Sequence, residues 1–284
     1  MKNKICLITG ATSGIGKATA FALAKKGAAT IIIGRNKKRC EKTIKEIIKS
    51  TGNSSIDYIV ADLSSMNDVR KLYIEFKSRY NRLDVLINNV GAKFVKRLVS
   101  VDGYEMTLSL NHLSHFLLTN LLMDMLKNSG RARIINVSSG SHGGCPGINF
   151  DDLQSERQYI GKKAYAQSKL ANILFTYELS RRLESTGVTA NAVNPGGVIS
   201  NFCLNNGLIS WSKHVIAHIL YRNLIGPVEG ARTSVYLASS PEVEGVTGKY
   251  FYNIKPVRSS DTSYDVEMAK NLWNVSKKLT GNKM

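Results

Sequence analysis

The chain has 284 residues, of which 39 are Lys or Arg and 21 are Asp or Glu, so its formal net charge is +18. A hydrophobic content of 43% beside 21% charged residues excludes a disordered chain, and frequent glycine without a heptad pattern excludes a coiled coil. Residues 1–50 hold 12 basic and two acidic residues, an asymmetry that suits a nucleic acid, a membrane surface or a phosphate-bearing ligand.

Short apolar strands alternate with helical stretches along the chain. Strands are predicted at residues 5–8, 30–33, 56–61, 85–88, 134–137 and 189–193, with a seventh at 249–252. Helices are predicted at residues 15–27, 36–50, 66–79, 104–127, 163–186 and 228–238. Right-handed crossovers between such units give a parallel sheet with helices on both faces. We therefore expect one α/β domain over residues 1–284, a doubly wound, seven-stranded Rossmann-type sheet whose alternation breaks near 198–227.

The first predicted strand runs into a glycine-rich turn, T-G-A-T-S-G-I-G at residues 9–16, which opens a helix. Gly10 permits the tight turn, Gly14 lets a pyrophosphate approach the backbone, and Gly16 allows close helix packing. The N-terminus of the helix then offers free N–H groups and a positive dipole end to phosphate. The predicted phosphate loop also contains Thr12, Ser13 and Ile15. Its strand–turn–helix context argues against an ordinary glycine turn.

The second predicted strand ends in Gly34 and Arg35. Sites for NAD(H) place an acidic residue about 20 positions after the glycine motif, where it binds the ribose 2′-hydroxyl. That position holds no carboxylate here, and the guanidinium of Arg35 suits a 2′-phosphate, with Arg39 or Lys38 as a second cation. Together with Asn36, these residues favour NADP(H) over NAD(H). The alternative is a solvated basic face at the start of a helix.

A tyrosine and a lysine four residues apart, Tyr165 and Lys169, begin a strongly helical stretch and project from one helix face. Tyrosine has an ordinary pKa near 10, and a neighbouring ammonium favours the phenolate and brings that pKa toward neutral pH. The pair is therefore suited to acid–base chemistry, although Y-x-x-x-K alone is common by chance on helix surfaces. Polar residues also end three other predicted strands: Asp62-Leu63, Asn88-Asn89-Val90-Gly91 and Asn136-Val137-Ser138-Ser139.

In their order and spacing these motifs resemble the short-chain dehydrogenase/reductase family over residues 4 to about 252. The matching motifs are T-G-x-x-x-G-I-G, D-L, N-N-V-G, V-S-S, Y-x-x-x-K and Pro195-Gly196. Residues 110–119 and 139–175 are similar to the retinol-dehydrogenase branch in particular. Two positions depart from the family pattern: Val90 replaces the usual alanine, and Ser200 stands where a threonine often contacts the cofactor amide.

The resemblance implies a role for each matching residue. Tyr165 would be the general acid/base, and Lys169 would lower its pKa and hold the nicotinamide ribose. Ser139 would hydrogen-bond the substrate oxygen, with Ser138 the weaker alternative, and Asn111 would support a water relay to Lys169. The remaining implied cofactor contacts are Asp62 and Leu63 at the adenine, and Asn89, Gly91 and Val198 around the nicotinamide.

The implied function is an NADP(H)-dependent oxidoreductase that interconverts an alcohol and an aldehyde or ketone, and many relatives are homodimers or homotetramers. A non-catalytic NADP(H)-binding sensor or scaffold of the same fold is the alternative. Nucleic-acid binding ranks last, because the sequence has no basic stripe interleaved with aromatic residues. Apolar residues at helical spacing over 202–225 predict either a lid over a lipophilic substrate or a surface helix.

The sequence also restricts the compartment. It shows no signal peptide and no apolar run near the roughly 20 residues that span a bilayer. Its four cysteines are scattered and read as free thiols, and no residue pattern suggests a metal site. We therefore expect a cytoplasmic protein with no membrane span and no bound metal.

Overall fold

A computed structural model describes residues 1–198 and 225–281. The strands are β1 (Ile5–Thr9), β2 (Ala29–Gly34), β3 (Ile56–Val60), β4 (Val85–Asn88), β5 (Arg133–Val137), β6 (Thr189–Asn194), β7 (Tyr250–Tyr252) and β8 (Lys255–Val257). The helices are α1 (Gly14–Lys25), α2 (Lys37–Thr51), α3 (Met66–Arg79), α4 (Met106–Leu108), α5 (Ser114–Leu121), α6 (Met123–Lys127), α7 (Gly161–Arg182), α8 (Pro227–Ser239) and α9 (Val266–Leu279).

The strands form one sheet in the order β3-β2-β1-β4-β5-β6-β7-β8. Strands β1 to β7 pair in parallel, so the predicted doubly wound α/β class is confirmed. The chain direction across the sheet reverses between β1 and β4, which makes the carboxyl ends of these two strands the expected ligand crevice.

Both faces of the sheet are buried. Along β1, Leu7 packs on one face and Ile8 on the other, and both are inaccessible to solvent. The face of Leu7 is covered by α3, α5 and α7, which contribute Phe76, Phe116 and Phe175. Each fully buried aromatic or aliphatic side chain stabilises the fold by about 2 kcal/mol. Burial on both faces explains the uninterrupted apolar run Ile31–Ile33 in β2.

Among the described residues the sheet has eight strands, so the predicted count of seven was wrong. The eighth, β8, pairs antiparallel with β7 after a turn in which Asn253 and Ile254 have positive φ angles. It has three residues, all exposed, with Pro256 at its centre. A short, exposed strand that contains proline has neither the alternation nor the apolar run on which a strand prediction depends.

The prediction of a single helix over residues 104–127 is also wrong. The Glu105 carboxylate accepts the N–H groups of Thr107 and Leu108, so helix begins only at α4. A π-helical turn at Ser109–Leu113 then separates α4 from α5, and α5 ends before Leu122. The π turn carries Asn111, so the irregularity lies at a residue expected to act in the site.

The C-terminal helix α9 was not predicted. Its Asp265 carboxylate caps the N–H of Met268, and it buries Ala269, Leu272 and Trp273. Trp273 packs its ring against Phe116 and Phe175, with ring centroids 5.0 and 5.8 Å away. The helix therefore closes one face of the core.

The predicted insertion at 198–227 falls almost wholly in residues 199–224, outside the described residues, as does Ser200. Within the described ranges, no helix is long and apolar enough to cross a membrane. The same part of the chain contains no group of three or more residues suited to holding a metal ion. Cys6, Cys40 and Cys145 are buried free thiols.

Candidate active site

A cleft of about 740 Å³ lies at the carboxyl ends of the first four strands, where the strand order reverses. It brings together most of the residues predicted to bind a cofactor. Those that line it are Gly10, Thr12, Ser13, Gly14, Ile15, Gly16, Arg35, Asn36, Arg39, Asp62, Leu63, Asn89 and Gly91. Three predicted residues, Tyr165, Lys169 and Val198, are not part of this lining.

Hydrogen bonds to β1 and its following loop fix the glycine turn. The side-chain amide of Asn89 donates to the carbonyl oxygens of Thr9 (2.8 Å) and Gly10 (3.4 Å). The Thr9 hydroxyl oxygen accepts the backbone N–H of Asn89 at 2.8 Å. A Cβ atom on Gly16 would lie 2.5 Å from both Gly10 O and Asn89 Nδ2, so only glycine fits there. Asn89 therefore supports the phosphate loop from below.

The end of the cleft next to β2 is basic. A Cβ atom on Gly34 would lie 2.6 Å from Thr12 Cγ2, so the end of β2 has no room for an acidic side chain. Arg35 and Arg39 follow and line the cleft, whereas Lys38 is exposed and does not. Arg39 donates its backbone N–H to Asn36 Oδ1, which caps α2.

One carboxylate, that of Asp62, is present among the described residues that line the cleft. Its Oδ1 accepts both the backbone N–H (3.0 Å) and the hydroxyl (2.8 Å) of Ser64. This turn holds Asp62 at the end of β3. The electrostatic balance of this end of the cleft is therefore positive.

Lys169 is buried inside α7, with 3% of its surface exposed. Its ammonium donates to the carbonyl oxygen of Val137 at 3.0 Å and lies 5.7 Å from the centroid of the half-buried Tyr165 ring. Burial lowers the pKa of the Lys169 ammonium to about 8. The structure therefore brings the two predicted catalytic side chains together and holds the lysine from the end of β5.

Asn111 bridges the β4 loop and α7. Its side chain accepts from the N–H and donates to the carbonyl of Ala92, both at 2.9 Å, and donates to Ser168 Oγ at 2.9 Å. A Cβ atom on Gly91 would approach Lys169 Nζ to 3.2 Å and Asn111 Oδ1 to 3.3 Å. The Lys169 ammonium and the Asn111 side-chain amide thus meet the loop after β4 at Gly91.

The two serines at the end of β5 have different environments. Ser138 is buried, and its hydroxyl donates to the Lys169 carbonyl at 2.7 Å, which ties β5 to α7. Ser139 is half-buried, and its hydroxyl contacts Ser141. Ser139 is thus the serine with solvent access, in keeping with its predicted contact to substrate.

His142 fixes the backbone of Ser139. Its Nδ1 lies 2.7 Å from the Ser139 carbonyl, and its Nε2 lies 3.1 Å from the N–H of Ser260. A carbonyl only accepts and an N–H only donates, so His142 is neutral and protonated on Nδ1. Burial lowers its pKa, which favours this form. No partner for His142 is evident from the sequence, because Ser260 is 118 residues away.

A buried chain of polar side chains lies behind Lys169. His115 Nε2 donates to the Val90 carbonyl (3.0 Å), so its Nδ1 accepts from Asn172 Nδ2 (3.3 Å). The Asn172 Oδ1 then accepts from His112 Nδ1 (3.4 Å), and His112 Nε2 accepts from Ser276 Oγ (2.8 Å). Every hydrogen points the same way along this chain, which we call the histidine chain.

The histidine chain connects Ser276 in α9, through Asn172 in α7, to the Val90 carbonyl in the loop after β4. Burial lowers the pKa of His112 to about 4, and burial and then the charge of Lys169 lower that of His115 well below its usual value. Both rings are therefore neutral at physiological pH. The histidine chain was not predicted from the sequence, although Asn172 lies one turn after Lys169 and the two histidines are spaced i, i+3.

Val198 lies at the edge of the described residues. It pairs with Ile225 in an isolated parallel bridge, and its Cγ2 would lie 2.5 Å from a Cβ atom on Gly230. The same Cβ atom would lie 3.4 Å from Ile15 Cγ1, so Val198 approaches the start of α1. The side chain of Val198 therefore lies near that of Ile15, at the start of α1.

Comparisons with known proteins point to one family. The family model described as short chain dehydrogenase matches residues 4–206. Human Retinol dehydrogenase 14 is 42% identical over 294 residues, which cover 99% of this chain and 87% of that protein. Human Polyprenol dehydrogenase is 40% identical over 289 residues, 98% of this chain and 86% of that protein. The Pseudomonas aeruginosa RhlG/NADP active-site complex superposes with a TM-score of 0.70 at 27% identity, covering 88% of this chain and 94% of that one.

Proposed function

The chain belongs to the short-chain dehydrogenases, oxidoreductases that act on CH–OH groups, and we propose that it interconverts a lipophilic alcohol and its aldehyde or ketone with NADP(H). The observation that carries this proposal is Tyr165 paired with a buried Lys169 at the same edge of the sheet as the cleft. NADP(H), when bound, supplies or accepts the hydride at the carbonyl carbon.

In this proposal the chain's own residues handle the proton and the orientation. The Tyr165 hydroxyl transfers the proton to or from the substrate oxygen, and the Lys169 ammonium favours the phenolate. The Ser139 hydroxyl donates a hydrogen bond to the same oxygen. Asn111, fixed by Ala92 and Ser168, holds a water near Lys169 for proton exchange with solvent.

The residues of the cleft fit a dinucleotide. A Cβ atom at Gly16 would collide with Gly10 O and Asn89 Nδ2, so glycine at this position allows the close packing of α1 on the turn that a dinucleotide-binding loop requires. The preference for NADP(H) is supported by Arg35 and Arg39 in the lining and by the lack of room for an acid at Gly34. A 2′-phosphate gains charge-assisted hydrogen bonds from guanidinium groups.

The lipophilic character of the substrate is supported by two relatives. Their names, retinol dehydrogenase and polyprenol dehydrogenase, denote lipophilic alcohols, and both proteins align with nearly the whole chain. For the compartment, buried free thiols at Cys6, Cys40 and Cys145 suit a reducing environment, and we assign the protein to the cytoplasm.

The experiment is steady-state oxidation of NADPH with a panel of aldehydes and ketones of increasing chain length, comparing the wild type with Tyr165→Phe. The variant should lose at least about 100-fold in kcat, because positioned acid–base groups contribute that much. Tyr177→Phe, on the same helix but bonded to Ser259, is the control and should keep its rate. Equal rates for the wild type and Tyr165→Phe would sink the mechanism. NADPH binding without turnover of any compound would favour the sensor alternative.

A further inference from the structure

In the loop that follows β4, a stretch of seven residues exposes four large apolar side chains. They are Val95, Leu98, Val99 and Val101, the last 85% exposed. We call residues 95–101 the apolar rim. A large exposed apolar cluster on a protein surface usually marks a contact with another molecule or a membrane. Of the exposed large apolar residues that the structure describes, no other stretch of seven residues holds as many.

Hydrogen bonds fix the backbone of the apolar rim. Val99 pairs with Glu105 in an antiparallel bridge, and the N–H of Met106 donates to the Leu98 carbonyl at 2.9 Å. At the tip, the Asp102 carboxylate accepts the N–H of Met66 at the start of α3, at 2.8 Å. The apolar side chains are thus presented on a fixed turn, and their exposure is built into the fold.

The apolar rim begins at the wall of the cleft. Three residues before it, Ala92 is held by the side chain of Asn111, and Phe94 lines the cleft itself. The Phe94 carbonyl accepts the Tyr159 hydroxyl at 3.0 Å, and Gly161, the first residue of α7, packs directly against it. The rim therefore lies between the mouth of the cleft and the start of the helix that carries Tyr165.

Basic side chains surround these apolar groups. Lys96 is exposed within the rim, and Arg97 lies 3.6 Å from Glu156, which balances its charge. The adjoining start of α7 adds exposed Lys162 and Lys163 next to the exposed Ile160. Exposed apolar residues interleaved with lysines match the surface of a membrane that contains anionic phospholipids, which takes apolar groups at the headgroup boundary and attracts cations.

We propose that the apolar rim docks this protein on the surface of an anionic phospholipid membrane, with the mouth of the cleft facing the bilayer. The inference rests on the proposed function for its purpose: a lipophilic alcohol or aldehyde would enter the cleft from the membrane. Docking at the surface requires no membrane-spanning helix. The net charge of +18 adds a long-range attraction that salt screens.

The test is flotation of the purified chain with phosphatidylcholine vesicles, with and without phosphatidylserine, in the absence of cofactor and substrate. The wild type should float with the phosphatidylserine vesicles, and the double variant Leu98→Ser/Val101→Ser should lose on the order of tenfold in binding. The control Ile74→Ser/Val228→Ser removes two equally exposed apolar side chains elsewhere and should bind normally.

A second pair of variants separates a local contact from general adsorption of a basic protein. Lys96→Glu/Lys162→Glu should weaken binding by about tenfold or more, because each basic residue at an anionic surface contributes about 1 kcal/mol. Lys25→Glu/Lys26→Glu makes the same charge change at the end of α1 and should have a smaller effect. Equal losses in the two charge variants, or no binding of the wild type, would overturn the proposal.

Two further measurements complete the test. Light scattering after size exclusion reports whether the rim variants turn an oligomer into a monomer, and that result would make the rim a contact between copies instead. Reduction of a short soluble aldehyde should be unchanged in all four variants. Vesicle binding without turnover would support docking and contradict the proposed function. Turnover without vesicle binding would support the proposed function and contradict docking.

Discussion

The turn at residues 10–16, with Arg35, Asn36 and Arg39, forms the side of the cleft that we call the cofactor wall after its proposed role, and it presents backbone N–H groups and exposed cations. Beside the cleft, outside its lining, lies α7 with the proposed catalytic residues Tyr165 and Lys169. We call this helix the catalytic wall, and buried polar side chains from distant segments hold it. The first wall is encoded within a few neighbouring residues. The second depends on contacts such as His112 to Ser276, which are 164 residues apart. Binding of a cofactor and positioning of an acid–base group therefore place different demands on the fold.

The largest expected effect is on the histidine chain of the catalytic wall. Asn172→Ala removes the partners of both His112 Nδ1 and His115 Nδ1 inside the core, and each unpaired buried group costs about 1–3 kcal/mol. We expect a loss of about 4 kcal/mol in the free energy of unfolding, measured with urea. Asn36→Ala, which removes the exposed cap of α2, should cost about 1 kcal/mol. Similar costs for the two variants would remove the contrast between the walls.

The second-largest expected effect is a gain in the free energy of unfolding, on replacing Lys169. Burial lowers the pKa of Lys169 from 10.5 to about 8, so the protonated side chain destabilises the folded state at neutral pH. Lys169→Met should therefore gain about 3 kcal/mol in unfolding free energy at pH 7 while activity is lost. Between pH 8 and 10.5 the unfolded chain binds more protons at this lysine than the folded chain does. The stability of the wild type should rise with pH across that window, so the advantage of the variant should disappear by its upper end.

Lys163→Met is the matched control, because Lys163 is exposed on the same helix. It should change the unfolding free energy by less than about 0.5 kcal/mol at any pH. Thermal or urea unfolding from pH 7 to pH 10.5 measures both variants. A difference between Lys169→Met and the wild type that does not change with pH would contradict a buried, protonated lysine.

The predictions for the cofactor wall could be made from the sequence because their signals are local. The glycine turn at residues 9–16 follows a strand and opens a helix, and Arg35 lies at a fixed distance beyond it. Tyr165 and Lys169 were singled out by their i, i+4 spacing, and the resemblance to the family supplied their predicted roles. The first seven strands follow from apolar runs of about five residues, with ends that moved by one position at most.

The sequence was not sufficient where the partner lies far away in the chain. Nothing near His142 indicates Ser260, and nothing near His112 indicates Ser276. By contrast, α9 carried a usable signal, since Asp265 precedes apolar residues at helical spacing. It was missed because it lies beyond residue 252, after the last motif on which the sequence-based resemblance was built.

Substitutions on the cofactor wall should have smaller effects, and these should be limited to the KM for the cofactor. Arg35→Ala should raise the KM for NADPH about tenfold and leave that for NADH unchanged, because it removes one charge-assisted contact to a 2′-phosphate. The unfolding free energy should not change, since the side chain is exposed. Steady-state kinetics with both cofactors gives the answer, and equal shifts in the two KM values would refute the assigned contact.

The smallest expected effect separates two neighbouring cations. Arg39 lines the cleft and Lys38 does not, although the sequence alone allowed either as the second cation. Arg39→Ala should raise the KM for NADPH about threefold, as a second, weaker contact to the same phosphate, while Lys38→Ala should leave it unchanged. The two variants differ from the wild type by the same single charge, so a long-range field alone would shift both equally. A shift confined to Arg39 would mean that the cofactor wall, like the catalytic wall, depends on where each side chain points, although its residues are neighbours in the sequence.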